Sequence, residues 1–339
     1  MLHMKKNVLY IGNALANKGK TSSTIDTLSS HLKIMCNLKI ASAKSNKVFR
    51  LLDMIFLVFK NKTNTDYVLI DTYSTINFYY ALIISQLCRL FNIKYIPILH
   101  GGNLENRLKN NPKLSELTFK NAHKLIAPSN FLKLVFNNYG YQNVEYIPNS
   151  IELDQYSFEN RNIDAIKLLW VRSFSSIYNP ELAVLVLKQL KEENYDVELT
   201  MIGPDVDGSL IKVKELADSK HLEVNFTGKL SKVEWRTYSK NTNVFINTTN
   251  FDNMPVSVIE AMALGLPVVS TNVGGLPFLI SDNSEGILVN PDDSNAMAEA
   301  IIRLKDDIEF KNKLVQNARA KVENFSWKAV KPKWESLLS

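Results

Sequence analysis

The stretch DNMPVSVIEAMALGLPVVST, Asp252–Thr271, decides the fold. A polar loop meets Pro255, a helical run follows from Val256 to Leu264, Gly265 ends it, and Pro267–Ser270 continue as a short β-branched run. Another apolar run, Val244–Ile246, stands just before the loop. Strand, helix and strand at this spacing make a βαβ unit, the repeat of parallel sheets. Pro255 suits the first helical turn, where its missing N–H costs nothing. The amides around Met254, Val256, Ser257 and Val258 and the positive helix end then face the crevice at the strand tips, where an anion such as a diphosphate fits. Asp252 lies just before the helix and Glu260 about one and a half turns into it, so both carboxylates reach that crevice and accept hydrogen bonds from hydroxyl-rich groups. A helix cap for Asp252 and a surface pair for Glu260 are the plainer readings, and spacing leaves both open.

Working outward, the same alternation fills the chain. The first half has strand candidates at Val8–Ile11, Lys39–Ala41, Tyr67–Asp71, Tyr95–Leu99, Lys124–Ala127 and Val144–Ile147, with helices near 21–35, 47–60, 76–91, 113–121 and 129–138. After Ile147-Pro148-Asn149-Ser150 a pattern-free stretch to about Asn162 reads as a linker. Strands then recur at Lys167–Val171, Val197–Ile202, Val224–Thr227, Val244–Ile246, Pro267–Ser270 and Ile287–Val289, between helices near 180–192, 209–218, 231–239, 256–264, 294–305 and 306–322. The fold class expected is α/β, with two Rossmann-like domains facing a cleft. They are placed at 1–155 and 163–324, and a C-terminal helix at about 325–339 packs back on the first. Ligands of such sheets bind at the carboxyl ends of the strands.

With 339 residues, 45% hydrophobic and 22% charged, the chain is neither disordered nor fibrous and needs no disulfide staple. Cys36 and Cys88 sit in the apolar contexts KIMCNL and SQLCRL, which reads as buried thiols in a reducing, cytoplasmic setting. No apolar run reaches the roughly 18–20 residues that span a bilayer, and the N-terminus reads as a strand rather than a signal peptide. Charge is uneven, with 19 Lys/Arg against 10 Asp/Glu in residues 1–160 and 21 against 24 beyond. Within the basic half, Lys44, Lys47, Arg50, Lys60 and Lys62 surround an apolar run interrupted only by Arg50 and Asp53. Two readings stand for it: a helix docking on an anionic inner-leaflet membrane surface, or a sheet-packing helix with basic ends. No recognition motif for nucleic acid accompanies the basicity.

The run from Asp252 to Pro267, followed by Gly274-Gly275 and Gly286-Ile287-Leu288-Val289, resembles the donor-site signature of family four glycosyltransferases, which are retaining and have the GT-B fold. The likeness extends through Gly203-Pro204, Phe226-Thr227-Gly228, Ile147-Pro148-Asn149-Ser150, Ala127-Pro128-Ser129 and Phe325-Ser326-Trp327, nearly the whole chain in the family's order. It implies a nucleotide sugar held mainly by the C-terminal domain and a glycan or lipid-linked acceptor held mainly by the N-terminal one, in surface polysaccharide or lipopolysaccharide biosynthesis. Arg172 matches the arginine that clamps the donor diphosphate, a task suited to an always-charged bidentate guanidinium. Asp252 and amides near Met254 correspond to the grip on the transferred sugar, and Glu260 to the ribose contact. Two departures stand out. Asp252 and Asn253 replace the usual glutamate and glycine, and Ser173–Asn179 lack the companion lysine.

His100-Gly101-Gly102-Asn103 follows a strand, where two glycines let a ligand approach and the imidazole faces the cleft; its place resembles that of the family histidine near the donor sugar. Gly12, Lys18 and Lys20 lie in the loop after the first strand, which in this family lines the cleft. That loop ends in Gly-Lys-Thr, yet six residues separate its glycines where a P-loop needs four. Asp205-Val206-Asp207 reads as solvated loop, and no His/Cys cluster or calcium loop implies a metal. No cofactor is expected beyond the nucleoside-diphosphate sugar as donor substrate. Two rivals remain: a nucleotide-sugar epimerase of the same architecture, and a catalytically degenerate sugar-binding subunit.

Overall fold

The computed structural model describes residues 5–15, 24–101 and 103–339. Lys18, Lys20 and Gly102 therefore lie outside the described residues. The chain divides into two units, Met1–Ser150 with Val330–Ser339, and Ile151–Ala329.

The first unit carries strands β1 (Asn7–Ile11), β2 (Asn37–Ala41), β3 (Tyr67–Thr72), β4 (Lys94–Leu99), β5 (Leu125–Ala127) and β6 (Val144–Tyr146). They form one parallel sheet in the order β2-β1-β3-β4-β5-β6. Between them run α1 (Thr24–Met35), α2 (Lys47–Asn61), α3 (Asn77–Leu90), α4 (Leu104–Asn110), α5 (Pro112–Phe119) and α6 (Asn130–Asn138). Every residue of β3 is buried, as a central parallel strand covered on both faces must be.

The second unit repeats the plan with β7 (Ile166–Val171), β8 (Val197–Ile202), β9 (Asn225–Gly228), β10 (Val244–Asn247), β11 (Val268–Thr271) and β12 (Ile287–Val289), ordered β12-β11-β10-β7-β8-β9. Its helices are α7 (Pro180–Glu192), α8 (Ser209–Ser219), α9 (Lys232–Tyr238), α10 (Val256–Ala263), α11 (Leu276–Leu279), α12 (Ser294–Asp306) and α13 (Ile308–Glu323). A last helix, α14 (Trp327–Leu337), belongs to the first unit from Val330 on.

Residues 151–162, read from sequence as the first domain's tail and a linker, are instead part of the second unit. Ile151 donates its N–H to Phe325 O at 2.9 Å, and Ile151 and Tyr156 are both buried in that unit's core. The polar residues around them hid two apolar anchors.

Both cysteines are free and buried. Burial pushes the Cys36 thiol up to about 11 and that of Cys88 to about 12. At pH 7 a thiol of the first kind is a thiolate in only about one molecule in 10⁴. A thiol reagent at neutral pH is expected to leave both unmodified in the native protein and to label both in denaturant, as read by mass spectrometry. Rapid labelling of native Cys88 would contradict the packing. Among the described residues no helix is long and apolar enough to cross a membrane.

Candidate functional site

In the second sheet the strand order reverses between β7 and β10, and open α/β sheets place ligands outside the carboxyl ends of the strands at such a point. Arg172 is the first residue past β7. Its N–H donates to Ile202 O at 3.0 Å, and a Cβ on Gly203 would lie 1.7 Å from the Arg172 carbonyl oxygen, so only glycine lets the end of β8 pass there. The loop after β7 is laced to the loop after β10. Asn250 N donates to Ile177 O and Thr248 Oγ1 to Tyr178 O, each at 2.8 Å, while Trp170 Nε1 donates to Thr248 Oγ1 at 2.9 Å.

This lacing sets the Tyr178 ring 4.0 Å from the Arg172 guanidinium carbon and brings Arg172 Nη2 onto Asp252 Oδ2 as an ion pair. Both side chains are only 15% exposed, and Arg172 Nε is buried without a partner. Asp252 Oδ1 accepts from Asn253 N at 2.8 Å. Burial holds the Asp252 carboxyl above its ordinary value, with the Arg172 charge and the Asn253 amide pulling it back down. Asp252 is thus neither a helix cap nor a surface acid. Two glycines fix its main chain. Gly275 N donates to Asp252 O at 2.8 Å, and Gly274 has a left-handed φ of 54°. Cβ atoms added to Gly274 and Gly275 would fall 2.2 Å from Asp252 O and 1.7 Å from Asn253 O respectively.

Helix α10 opens beside this pair. Pro255 stands one residue before the helix, not in its first turn. It is extended at φ −67° and ψ 117°, and its carbonyl accepts from Val258 N at 3.2 Å and Ile259 N at 3.3 Å. Proline's fixed φ fits either place, so sequence could not separate them. No side chain caps the helix, and Ser257 Oγ is buried without a partner. Val256 is half-buried, while the Met254 side chain is buried in the core, leaving its main chain for any ligand.

Glu260 is buried, at 4% exposure, and its Oε1 accepts from Tyr156 OH at 2.5 Å and from Lys232 Nζ at 2.8 Å. Burial first, then the Glu260 charge and hydrogen bond, push the Tyr156 phenol well above its ordinary value, so Tyr156 keeps its proton and donates. Lys232 opens α9, which Ser231 and Glu234 cap reciprocally. The second cation here thus comes from position 232, not from residues 173–179. Asp207, in the loop after β8, accepts from Ser175 Oγ, Ser176 N and Ser209 Oγ, and these bonds, led by Ser209, lower its pKa. It ties two loops together.

In the first unit the order reverses between β1 and β3, and Gly12 and His100 meet there at a residue the sequence reading missed. Asp71, inside β3, accepts on Oδ1 from Tyr10 OH and from His100 Nε2, both at 2.9 Å. Its Oδ2 is buried without a partner, and a Cβ on Gly12 would lie 2.5 Å from it. Tyr73 stacks on His100 with centroids 5.1 Å apart. Burial, with the Asp71 charge, holds Tyr10 far above its ordinary pKa, so its proton stays on the phenol. One acid inside the apolar run YVLIDT was the available signal.

Two parallel α/β units, one with an arginine and an uncapped helix end at its point of strand reversal, define a two-unit α/β protein. Residues 154–321 match the family model described as glycosyl transferases group 1, and the second unit belongs to that family. It is 26% identical over 248 residues to the amylovoran biosynthesis glycosyltransferase AmsK of Erwinia amylovora, a match over 68% of this chain and 60% of AmsK. The chain therefore spans less than two thirds of that relative's length. Among solved structures it is similar to a sucrose-phosphate synthase from Thermosynechococcus elongatus, with TM-score 0.82, 19% identity and 98% of each chain covered. It is also similar to Anabaena HepE in complex with UDP, with TM-score 0.79 and 15% identity over 98% of this chain and 99% of that one. These likenesses show the fold, that of the GT-B glycosyltransferases, as the sequence resemblance implies.

Proposed function

We propose that the chain transfers a sugar from a nucleoside-diphosphate sugar to a hydroxyl of a glycan or lipid-linked acceptor, with retention at the anomeric carbon, in surface polysaccharide or lipopolysaccharide assembly. One observation carries the donor assignment: Arg172, braced on Tyr178, meets Asp252 at the mouth of α10 where the strand order reverses. HepE, similar in fold, was solved in complex with UDP, and AmsK is an amylovoran biosynthesis glycosyltransferase, which supports the reading.

In this reading the bond from the anomeric carbon to the diphosphate breaks with positive charge developing on the sugar and negative charge on the leaving phosphate. Preoriented charge on the leaving group is the largest help a protein gives such a step. Arg172 exchanges Asp252 for phosphate oxygens, and the amides opening α10 supply the rest. Freed from the guanidinium, Asp252 accepts a hydroxyl of the transferred sugar, and Glu260, held by Tyr156 and Lys232, accepts the ribose. Asp71 positions His100 by holding Nε2, so that Nδ1 serves a sugar hydroxyl, with Gly12 giving close approach. The acceptor proton goes to the leaving phosphate.

A panel of nucleotides and nucleotide sugars read by thermal unfolding tests this. A true donor at about 100 times its Kd adds about 2.7 kcal/mol to the native state, which raises the midpoint by roughly 5–10 °C. No shift with any member refutes the donor site. Epimerised sugar formed without acceptor would point to the epimerase, and an inverted product, read by NMR of the anomeric proton, would overturn retention.

A further inference from the structure

Helix α2 carries two opposed stripes. Arg50, Met54 and Val58 are buried, and the Arg50 guanidinium donates to Lys44 O, Ser45 O and Asn13 Oδ1, so it is an internal brace and not a surface cation. The other stripe is apolar and bare: Phe49 is 63% exposed, Leu52 53%, Phe56 60% and Phe59 55%, with Val48 beside them at 66%. Steps of three, four and three residues align 49, 52, 56 and 59 on one side of the helix. Asn46 Oδ1 accepts from Val48 N and Phe49 N, at 2.9 and 3.2 Å, so the helix start is fixed despite that exposure.

Helix α3 lies alongside. Tyr80 OH donates to Lys47 O at 3.1 Å near one end, and the Phe59 and Phe91 rings meet at 5.9 Å near the other. Leu90, 76% exposed, extends the apolar surface. Four exposed lysines frame it, Lys44 and Lys47 at the start of α2 and Lys60 and Lys62 at its end. Lys62 Nζ stands 4.4 Å over Phe59 and 4.9 Å over Phe91, and Lys60 Nζ lies 5.9 Å from Phe56, so their stems run along the rings and their charges reach the rim. The only acid on either helix, Asp53, accepts from Ser42 Oγ at 2.5 Å.

We propose that this face seats the protein on a bilayer bearing anionic phospholipid headgroups, with the phenylalanines and Leu52 entering the headgroup boundary and the lysines meeting lipid phosphates. Apolar centre and cationic rim are the complement of that surface. A second copy fits badly, because a symmetric pairing sets each lysine rim against its own like. The inference is independent of the donor-site reading.

Cosedimentation of the full chain tests it, with vesicles of phosphatidylcholine alone and with added phosphatidylglycerol. Binding is expected on the anionic vesicles, roughly tenfold or more weaker on neutral ones, and falling as salt rises. F49S/F56S and K47E/K62E each weaken it roughly tenfold. Both variants keep the wild-type melting temperature and nucleotide-induced shift, since these side chains are exposed and none belongs to the donor site. The proposal is overturned if the wild type ignores anionic vesicles, if either variant binds them like wild type, or if F49S/F56S instead turns a dimer into a monomer.

Discussion

Arg172→Ala is expected to lower kcat/KM for the donor by about 10²–10³, the scale for removing one preoriented stabiliser of developing negative charge. The substitution also strands Asp252, which is 15% exposed and has Arg172 as its ion-pair partner. Breaking a largely buried pair from one side costs about 3 kcal/mol, which lowers the midpoint of the second unit by roughly 6–12 °C. Arg172→Ala with Asp252→Asn separates the two effects. The neutral amide no longer needs a counter-charge, so the melting temperature recovers while turnover stays low. Activity within about threefold of wild type in Arg172→Ala would remove the guanidinium from the leaving group and with it the reading of the site.

Gly275→Ala is expected to damage the same place through the backbone. The new methyl would stand 1.7 Å from Asn253 O, where a carbonyl and not a flexible side chain must retreat. Overpacking of this kind costs about 3 kcal/mol, again roughly 6–12 °C, and displaces the loop that carries Asp252. Gly140→Ala is the control. Gly140 has φ 88° but nothing within 4 Å of an added Cβ, so only left-handed strain of about 1–2 kcal/mol remains. If both variants melt alike and bind nucleotide alike, the Gly275 contact does not hold the loop.

Both sheets were legible because buried parallel strands give short apolar runs such as Val68–Ile70, and even Val197–Ile202, with Glu198 exposed, keeps four apolar residues of six. Helix α4 was not, since LENRLKN offers only Leu104 and Leu108 to the core, too few for a period to register. Chemistry followed the same rule. The motif around α10 is local, so Asp252, Pro255 and Glu260 could be singled out, and Arg172 came with it by resemblance. Asp71, Tyr156 and Lys232 act through contacts across 29, 104 and 28 residues, which a linear reading does not see. Tyr178, whose ring lies against Arg172, was likewise not singled out by any local pattern.

The assignment of Val330–Ser339 to the first unit sets an order on synthesis. Val330, Trp334, Leu337 and Leu338 are buried, Lys333 Nζ stands 4.7 Å over the Tyr146 ring, and Tyr67 OH donates to Ser339 O at 3.3 Å. A ribosome must emit all of 151–329 before the sheet begun at Asn7 receives this final cover. Of these two units, the one that emerges earlier is therefore completed later, and it waits with apolar surface uncovered while the other folds.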